Sequence, residues 1–295
     1  MRISENQKHG IFVSNMQRNQ QAISDLQRQL ASSKRITTAS EDPAAFSRSR
    51  VLESAIRSNE QFSVNTDRAF GYLSTTVSTL EDMLDEFRSV RTLLVSAGNE
   101  TLSATDRARM ATQVRATRDQ LVQSLNTTWQ GVYVFSGASG SEPAVVVNPD
   151  TSLTFNDSAQ TLLLPIGEGL TVDGTLTTDM VANPGGNDMF GLIDSVIAAL
   201  EANDPAALRT LGDSVVTLES AFSDVIVRQA EALRRVEFTA ERITDVMLLL
   251  RSELSALVDT NMVEAFSELQ KFQTAYEALL AVQGSSSRTS LLQYL

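Results

Sequence analysis

A chain of 295 residues, 42% hydrophobic and 6% aromatic, is long enough to bury a sizeable core in two or three structural units. Lys and Arg number 24 against 36 Asp and Glu, a net charge of -12 with no basic residue between Arg118 and Arg209, which excludes the phosphate-binding patch that a nucleic-acid partner requires. The absence of cysteine excludes disulfides, thiolate metal ligands and a thiol redox switch.

Met1 to Phe12 carries Arg2, Glu5 and Lys8 and lacks the apolar core of a secretory signal, and the apolar run Val246 to Leu250 is far short of the ~20 residues of a spanning helix. The expectation is a protein without a membrane span, exported, if at all, by a route other than general secretion. Phe12, Met16, Ile23, Leu26 and Leu30 then form a first helical seam in which Asn19 fills one core-type slot. A non-helical joint follows from about Ser32 to Ser40. It ends where Asp42 can cap the free backbone N–H groups of a new helix and Pro43 suits its first position. Leu73, Val77, Leu80, Leu84 and Phe87 form the apolar stripe of that helix. Ser103-Ala104-Thr105-Asp106 resembles a capping box opening another, to about Thr128.

The middle has a different composition. Four of the six prolines and six of the fourteen glycines fall between Gly140 and Gly186. Among them Val145 to Val147, Leu153 to Phe155, Leu162 to Leu164 and Leu170 to Val172 read as short strands. Asn203-Asp204-Pro205 repeats the helix-start signal. Leu233, Val236, Ala240, Ile243, Met247, Leu250, Leu254 and Leu257 then follow the alternating three-and-four spacing of a coiled-coil seam. Past Leu257 the register fails and restarts one residue later as Val258, Met262, Ala265, Leu269, Phe272, Tyr276 and Leu279. A slip of one residue turns the apolar face by ~100°, so a unit boundary is expected near residue 258. A pair of amphipathic helices alone is marginal in water. The terminal stripes are therefore expected to be covered by neighbouring copies and to be ordered only when subunits stack.

No residue constellation points to chemistry. His9 is the one histidine, and without cysteine a zinc site built on it would depend on carboxylates. Gly137-Ala138-Ser139-Gly140 is not a nucleophile elbow, and Gly167-Glu168-Gly169 lacks the rest of a dinucleotide fingerprint. Arg107, Arg115 and Arg118 fall near one helical face and read as partners for the many carboxylates. Trp129, beside Gly131, reads as a packing residue. No enzyme activity and no cofactor are expected.

Three motifs carry a resemblance to a known family. Leu30 to Ala45, with Arg35 and the Asp42-Pro43 step, is similar to the joint near the N-terminus of flagellins and flagellar hook-associated proteins. Asn126 to Gly137, with Tyr133, Phe135 and Gly137, resembles the motif that closes the N-terminal half of hook–filament junction proteins. Phe272 to Tyr276 and the ending Ser290 to Leu295 resemble their C-terminus. One departure is Ser33, where the family commonly has a Gly that ends the first helix in a left-handed conformation. The stop of that helix is therefore left open.

The resemblance implies a mainly α, flagellin-like long helical bundle formed by both termini, with a small β-rich insertion in the middle. The expected layers are residues 1–35 with 258–295 as a terminal helical layer, 36–137 with 188–257 as a helical bundle, and 138–187 as a β-rich outer insertion. It implies a structural, motility-related role in the bacterial flagellum between hook and filament, and secretion through the flagellar channel without a cleaved signal. The implied partners are copies of the chain in a ring or tube, another hook-associated protein, flagellin, and a cytoplasmic export chaperone at the C-terminal helix, with no nucleic acid and no membrane. The assembly residues implied are Phe12, Met16, Ile23, Leu26, Leu30, Met262, Leu269, Phe272, Tyr276, Leu279, Leu291, Leu292 and Leu295. The competing readings are a flagellin that forms the filament itself and a secreted helical binding module.

Overall fold

The computed structural model describes residues 5–137, 140–149, 152–156 and 161–292, with the backbone alone for residues 5–6, 8–9 and 283–292. The side chains of His9, Leu291 and Leu292, and Leu295 altogether, lie outside this description. Two compact units divide the chain: residues 1–58 with 246–295, and residues 59–245.

The described residues form seven α-helices, and three of them start at the expected caps. Helix α1 spans Glu5–Ser32 and α2 spans Pro43–Ala97. Asp42 Oδ1 accepts from the Ala45 N–H at 3.0 Å, capping α2 with Pro43 in its first position. Helix α3 spans Ala104–Leu125, and Ser103 Oγ accepts from the Asp106 N–H at 3.2 Å. It stops short of the expected Thr128 because that residue pairs with Tyr133 in a strand. Helices α4 (Thr178–Ala182) and α5 (Met189–Glu201) precede the long α6, Pro205–Val258. Asp204 caps α6 by accepting from the N–H groups of Ala206 and Ala207, both at 3.0 Å. The register slip read after Leu257 is a true helix break: α7 starts at Met262 and runs to Leu292, with Asp259, Thr260 and Asn261 between. The break is three residues long, but the compact units part twelve residues earlier, at 245/246.

Among the described residues six short strands form three separate antiparallel pairs: β1 (Thr128–Trp129) with β2 (Val132–Tyr133), β3 (Val145–Val147) with β4 (Leu153–Phe155), and β5 (Leu163–Gly167) with β6 (Leu170–Asp173). Two-stranded pairs are marginal alone. Here the inner residues Val145, Ile166 and Val172, with Phe135 just after β2, are buried in one core cluster with Leu80, Phe87, Leu121, Ile193 and Phe222 of the helices. Every member of the α2 stripe Leu73, Val77, Leu80, Leu84 and Phe87 is buried.

One ion cluster ties α2 to α6 in this unit. Arg88 Nε donates to Glu219 at 3.0 Å and Arg91 Nη1 at 2.7 Å. Burial by itself raises the Glu219 carboxyl, but the hydrogen bonds from Arg88 and Arg91 outweigh it and hold the group below its ordinary value. A carboxylate lowered in the folded state adds stability above its unfolded pKa of ~4.3 and loses it as pH falls through the lower folded value. Urea unfolding of the wild type and of Glu219→Gln is expected to show the widest gap above about pH 5, closing as the pH drops below about 4.

Candidate assembly interface

The two chain joints meet each other. Ser33, Lys34 and Arg35, after α1, run antiparallel to Val258, Asp259 and Thr260, after α6, with Lys34 and Asp259 as bridge partners. The Arg35 N–H donates to the Val258 carbonyl at 2.7 Å and the Thr260 N–H to the Ser33 carbonyl at 3.0 Å. The Arg35 guanidinium reaches the Leu257 carbonyl at 2.9 Å. That carbonyl belongs to the last turn of α6, where carbonyls lack helical partners and the helix dipole favours a cation. Arg35, carried into the family motif by resemblance, thus caps a helix 222 residues away in sequence.

Ser33 ends α1 at φ 58°, the left-handed position that glycine occupies without a Cβ penalty. Its conformation settles where the first helix stops. Ser33→Gly is expected to stabilise the terminal unit by about 1 kcal/mol, read as a higher thermal midpoint of far-ultraviolet ellipticity.

The rest of the joint folds back on Glu41. Its carboxylate accepts from the N–H groups of Thr37 at 2.7 Å and Thr38 at 3.1 Å, and Arg28 lies 3.3 Å away. The backbone hydrogen bonds from Thr37 and then Thr38, with the Arg28 charge behind them, hold this carboxyl below its ordinary value.

Beyond the joint, α1 and α7 pack on each other, the pairing of both termini that the resemblance implies. Leu26 meets Ala265 and Leu269, with Ile23, Leu30 and Phe272 partly buried around them. Phe12, Met16, Tyr276 and Leu279 are half-buried, and Met262, in the first turn of α7, is exposed. Sequence reasoning missed a second apolar set on α7: Val263 is 81% exposed and Phe266 55%. Their signal was the very spacing used for the stripe, read on the other side of the helix.

In the long-helix unit the family-motif residues act by packing. The Tyr72 hydroxyl donates to the Val134 carbonyl at 2.8 Å, and burial pushes its phenol up to about 12. Trp129 meets Tyr72 edge to face with centroids 6.2 Å apart, and lies so close to Gly71 that an added Cβ would sit 2.9 Å from the indole. Phe135 is fully buried and its carbonyl accepts from Thr178 Oγ1 at 2.9 Å, while Gly137 turns the chain at φ 67°. Tyr133 is half-buried. Of the three arginines near one face of α3, Arg115 pairs with Glu201 and Arg118 with Asp194. Arg107 departs from that pattern, since it is buried and donates chiefly to carbonyls.

A model of the bacterial flagellin N-terminal helical region matches residues 3–139. Flagellar hook-associated protein 3 of Salmonella typhimurium is 28% identical over 97% of this chain and 98% of its own length. Its Escherichia coli counterpart is 29% identical over 88% of this chain and 89% of its own. Among solved structures, the flagellar junction protein of Legionella pneumophila shares the fold with a TM-score of 0.62 and 14% identity, covering 72% of this chain and 99% of that one. The relatives align across both terminal arms and the middle, rather than along one arm alone, so this chain is similar to flagellar hook-associated proteins along most of its length.

Proposed function

We propose that this flagellar protein is the structural subunit that joins hook to filament, assembling with copies of itself in a ring or tube and catalysing nothing. The observation that carries the reading is the terminal unit. Its α1–α7 pair buries one narrow seam and leaves Val263, Phe266, Met262 and Leu280 exposed, an apolar surface suited to stacked neighbours. In this reading residues 1–35 with 258–295 form an inner layer, 36–137 with 188–257 a helical bundle around it, and 138–187 an outer region. Another hook-associated protein lies on one side and flagellin on the other. Before export through the flagellar channel a chaperone covers the C-terminal stripe, with Phe272, Tyr276 and Leu279 as anchors.

Electron microscopy of a strain lacking this gene tests the proposal. The expected result is hooks without filaments and unpolymerised flagellin in the medium, restored by the wild-type gene. Filaments of normal length on the mutant hooks would refute it. Long filaments formed by the purified chain alone would favour the competing reading, a flagellin.

A further inference from the structure

The hydrogen bonds of the β3–β4 pair fix which backbone groups face inwards. Asn156 N–H donates to Ala144 and Asn148 N–H to Ser152, both at 2.9 Å, with Val146 opposite Thr154 between them. In an antiparallel pair hydrogen-bonded residues alternate with residues whose N–H and C=O point away. Val145 and Val147 on one edge, and Leu153 and Phe155 on the other, therefore turn their polar groups outwards.

The chain closes the first of these edges at Val145. The Asn126 side-chain amide donates to the Val145 carbonyl at 2.8 Å and accepts from its N–H at 3.0 Å, copying the two bonds of a neighbouring strand. The same logic applies to the β5–β6 pair, where Gly174 N–H donates to Leu162 at 2.9 Å and Leu164 faces Val172. The outward residues of β5 are then Leu163 and Pro165, and the second of them has no N–H to offer. The free edge of β6 bears the exposed charge of Asp173. Leu153 and Phe155 have no such protection, and their outward groups have no hydrogen-bond partner among the described residues.

The same face of the pair borders a cleft of about 650 Å³. Leu153 and Phe155 line it together with Phe190 and Ile197 of α5, and the rings of Phe155 and Phe190 are 5.9 Å apart. Its rim is acidic on balance: Arg115 pairs with Glu201 and Arg118 with Asp194 at 2.7 Å and, at 4.0 Å, with Asp119, so these two cations face four carboxylates once Asp188 is added.

We propose that the free edge of β4 accepts an added strand, an extended apolar segment flanked by a lysine or arginine, from a protein other than this chain. Main-chain hydrogen bonds to Leu153 and Phe155 supply pairing, alternate side chains continue the apolar face into the cleft, and the flanking cation meets Asp119. The strands of a second copy do not fit, because no Lys or Arg occurs between Arg118 and Arg209. This goes beyond the junction reading, and the gene-deletion result is independent of it.

The test uses the isotope-labelled full chain and a capped Lys-Val-Thr-Val-Thr pentapeptide as probe. The expected result is saturable shifts of the Leu153 and Phe155 amide resonances at millimolar peptide. Leu153→Pro deletes one outward N–H and leaves the inner ladder at Val146 and Thr154, and weakens binding about tenfold or more, roughly the loss of 1.4 kcal/mol. Asp119→Lys, on the exposed face of α3, gives an independent weakening of about fivefold by charge repulsion. It remains informative should the proline variant disturb the pair. Absence of shifts at Leu153 and Phe155, or full affinity in Asp119→Lys and in a folded Leu153→Pro, overturns the proposal.

Discussion

Replacing Arg107 with Met is expected to destabilise the long-helix unit by about 3–5 kcal/mol, enough to shift its urea midpoint well outside error. The side chain is 3% exposed. Its Nε donates to the Ala97 carbonyl at 2.9 Å, Nη2 to Asn99 at 2.6 Å and Nη1 to Leu102 at 3.1 Å, with Asn203 Oδ1 as a further acceptor. One guanidinium thus satisfies the last turn of α2, the turn that follows it and the turn before α6. Methionine fills much of the volume and none of these bonds, so the buried Ala97 carbonyl and three part-buried bonds are lost at once, each at a cost of about 1–3 kcal/mol where water cannot replace it. Arg109, two residues on, provides the control. Its side chain is 78% exposed and bonds only to Asp106, so Arg109→Ala is expected to change stability by less than about 0.5 kcal/mol. Equal midpoints for Arg107→Met and Arg109→Ala would contradict the capping role.

Hydrogen exchange on a verified monomer is expected to divide the molecule sharply, with α1 and α7 exchanging from openings of about 1–2 kcal/mol while the core helices approach the global stability. Among its described side chains the terminal pair, 28 and 31 residues long, buries only Leu26, Ala265 and Leu269 well. Each fully buried leucine adds about 1.5–3 kcal/mol, and most helical stability in water comes from tertiary packing of one face. In contrast Leu80, Phe87, Leu121 and Leu125 are fully buried and their helices share one continuous core. Assembled subunits should show protection at both ends, because stacked neighbours would cover Val263 and Phe266. Slow exchange of α1 and α7 in the monomer would mean that the terminal pair is self-sufficient, and coupling of their order to assembly would fail.

Helix starts were legible in the sequence because a cap needs only neighbours. Asp42 with Pro43, Ser103 with Asp106 and Asp204 with Pro205 each bond to N–H groups within three residues, and no tertiary context alters that. The α2 stripe was equally legible, since its burial follows from 3.6-residue periodicity. The family motifs could be located but their work could not: Trp129 reads as a packing residue, yet the glycine it lies against, Gly71, is 58 positions away and looks like any helical glycine.

Tertiary structure decided the rest. The slip after Leu257 marks a change in the apolar face, but whether the helix bends or stops depends on what meets it there. It stops because Arg35 and the Ser33 carbonyl arrive from the other joint to satisfy Leu257, Val258 and Thr260. Arg107 reads from sequence as one of three cations near an exposed face, whereas the fold buries it, because the end of α2, the turn after it and the Asn203 side chain converge on it with acceptor oxygens. What the sequence by itself determined is therefore where helices begin and which faces are apolar, properties of dihedral preference and local hydrogen bonding. What only the tertiary structure decided is which distant backbone groups meet, because an unpaired carbonyl or an unprotected strand edge such as that of β4 leaves no mark in residue type, only in the geometry that surrounds it.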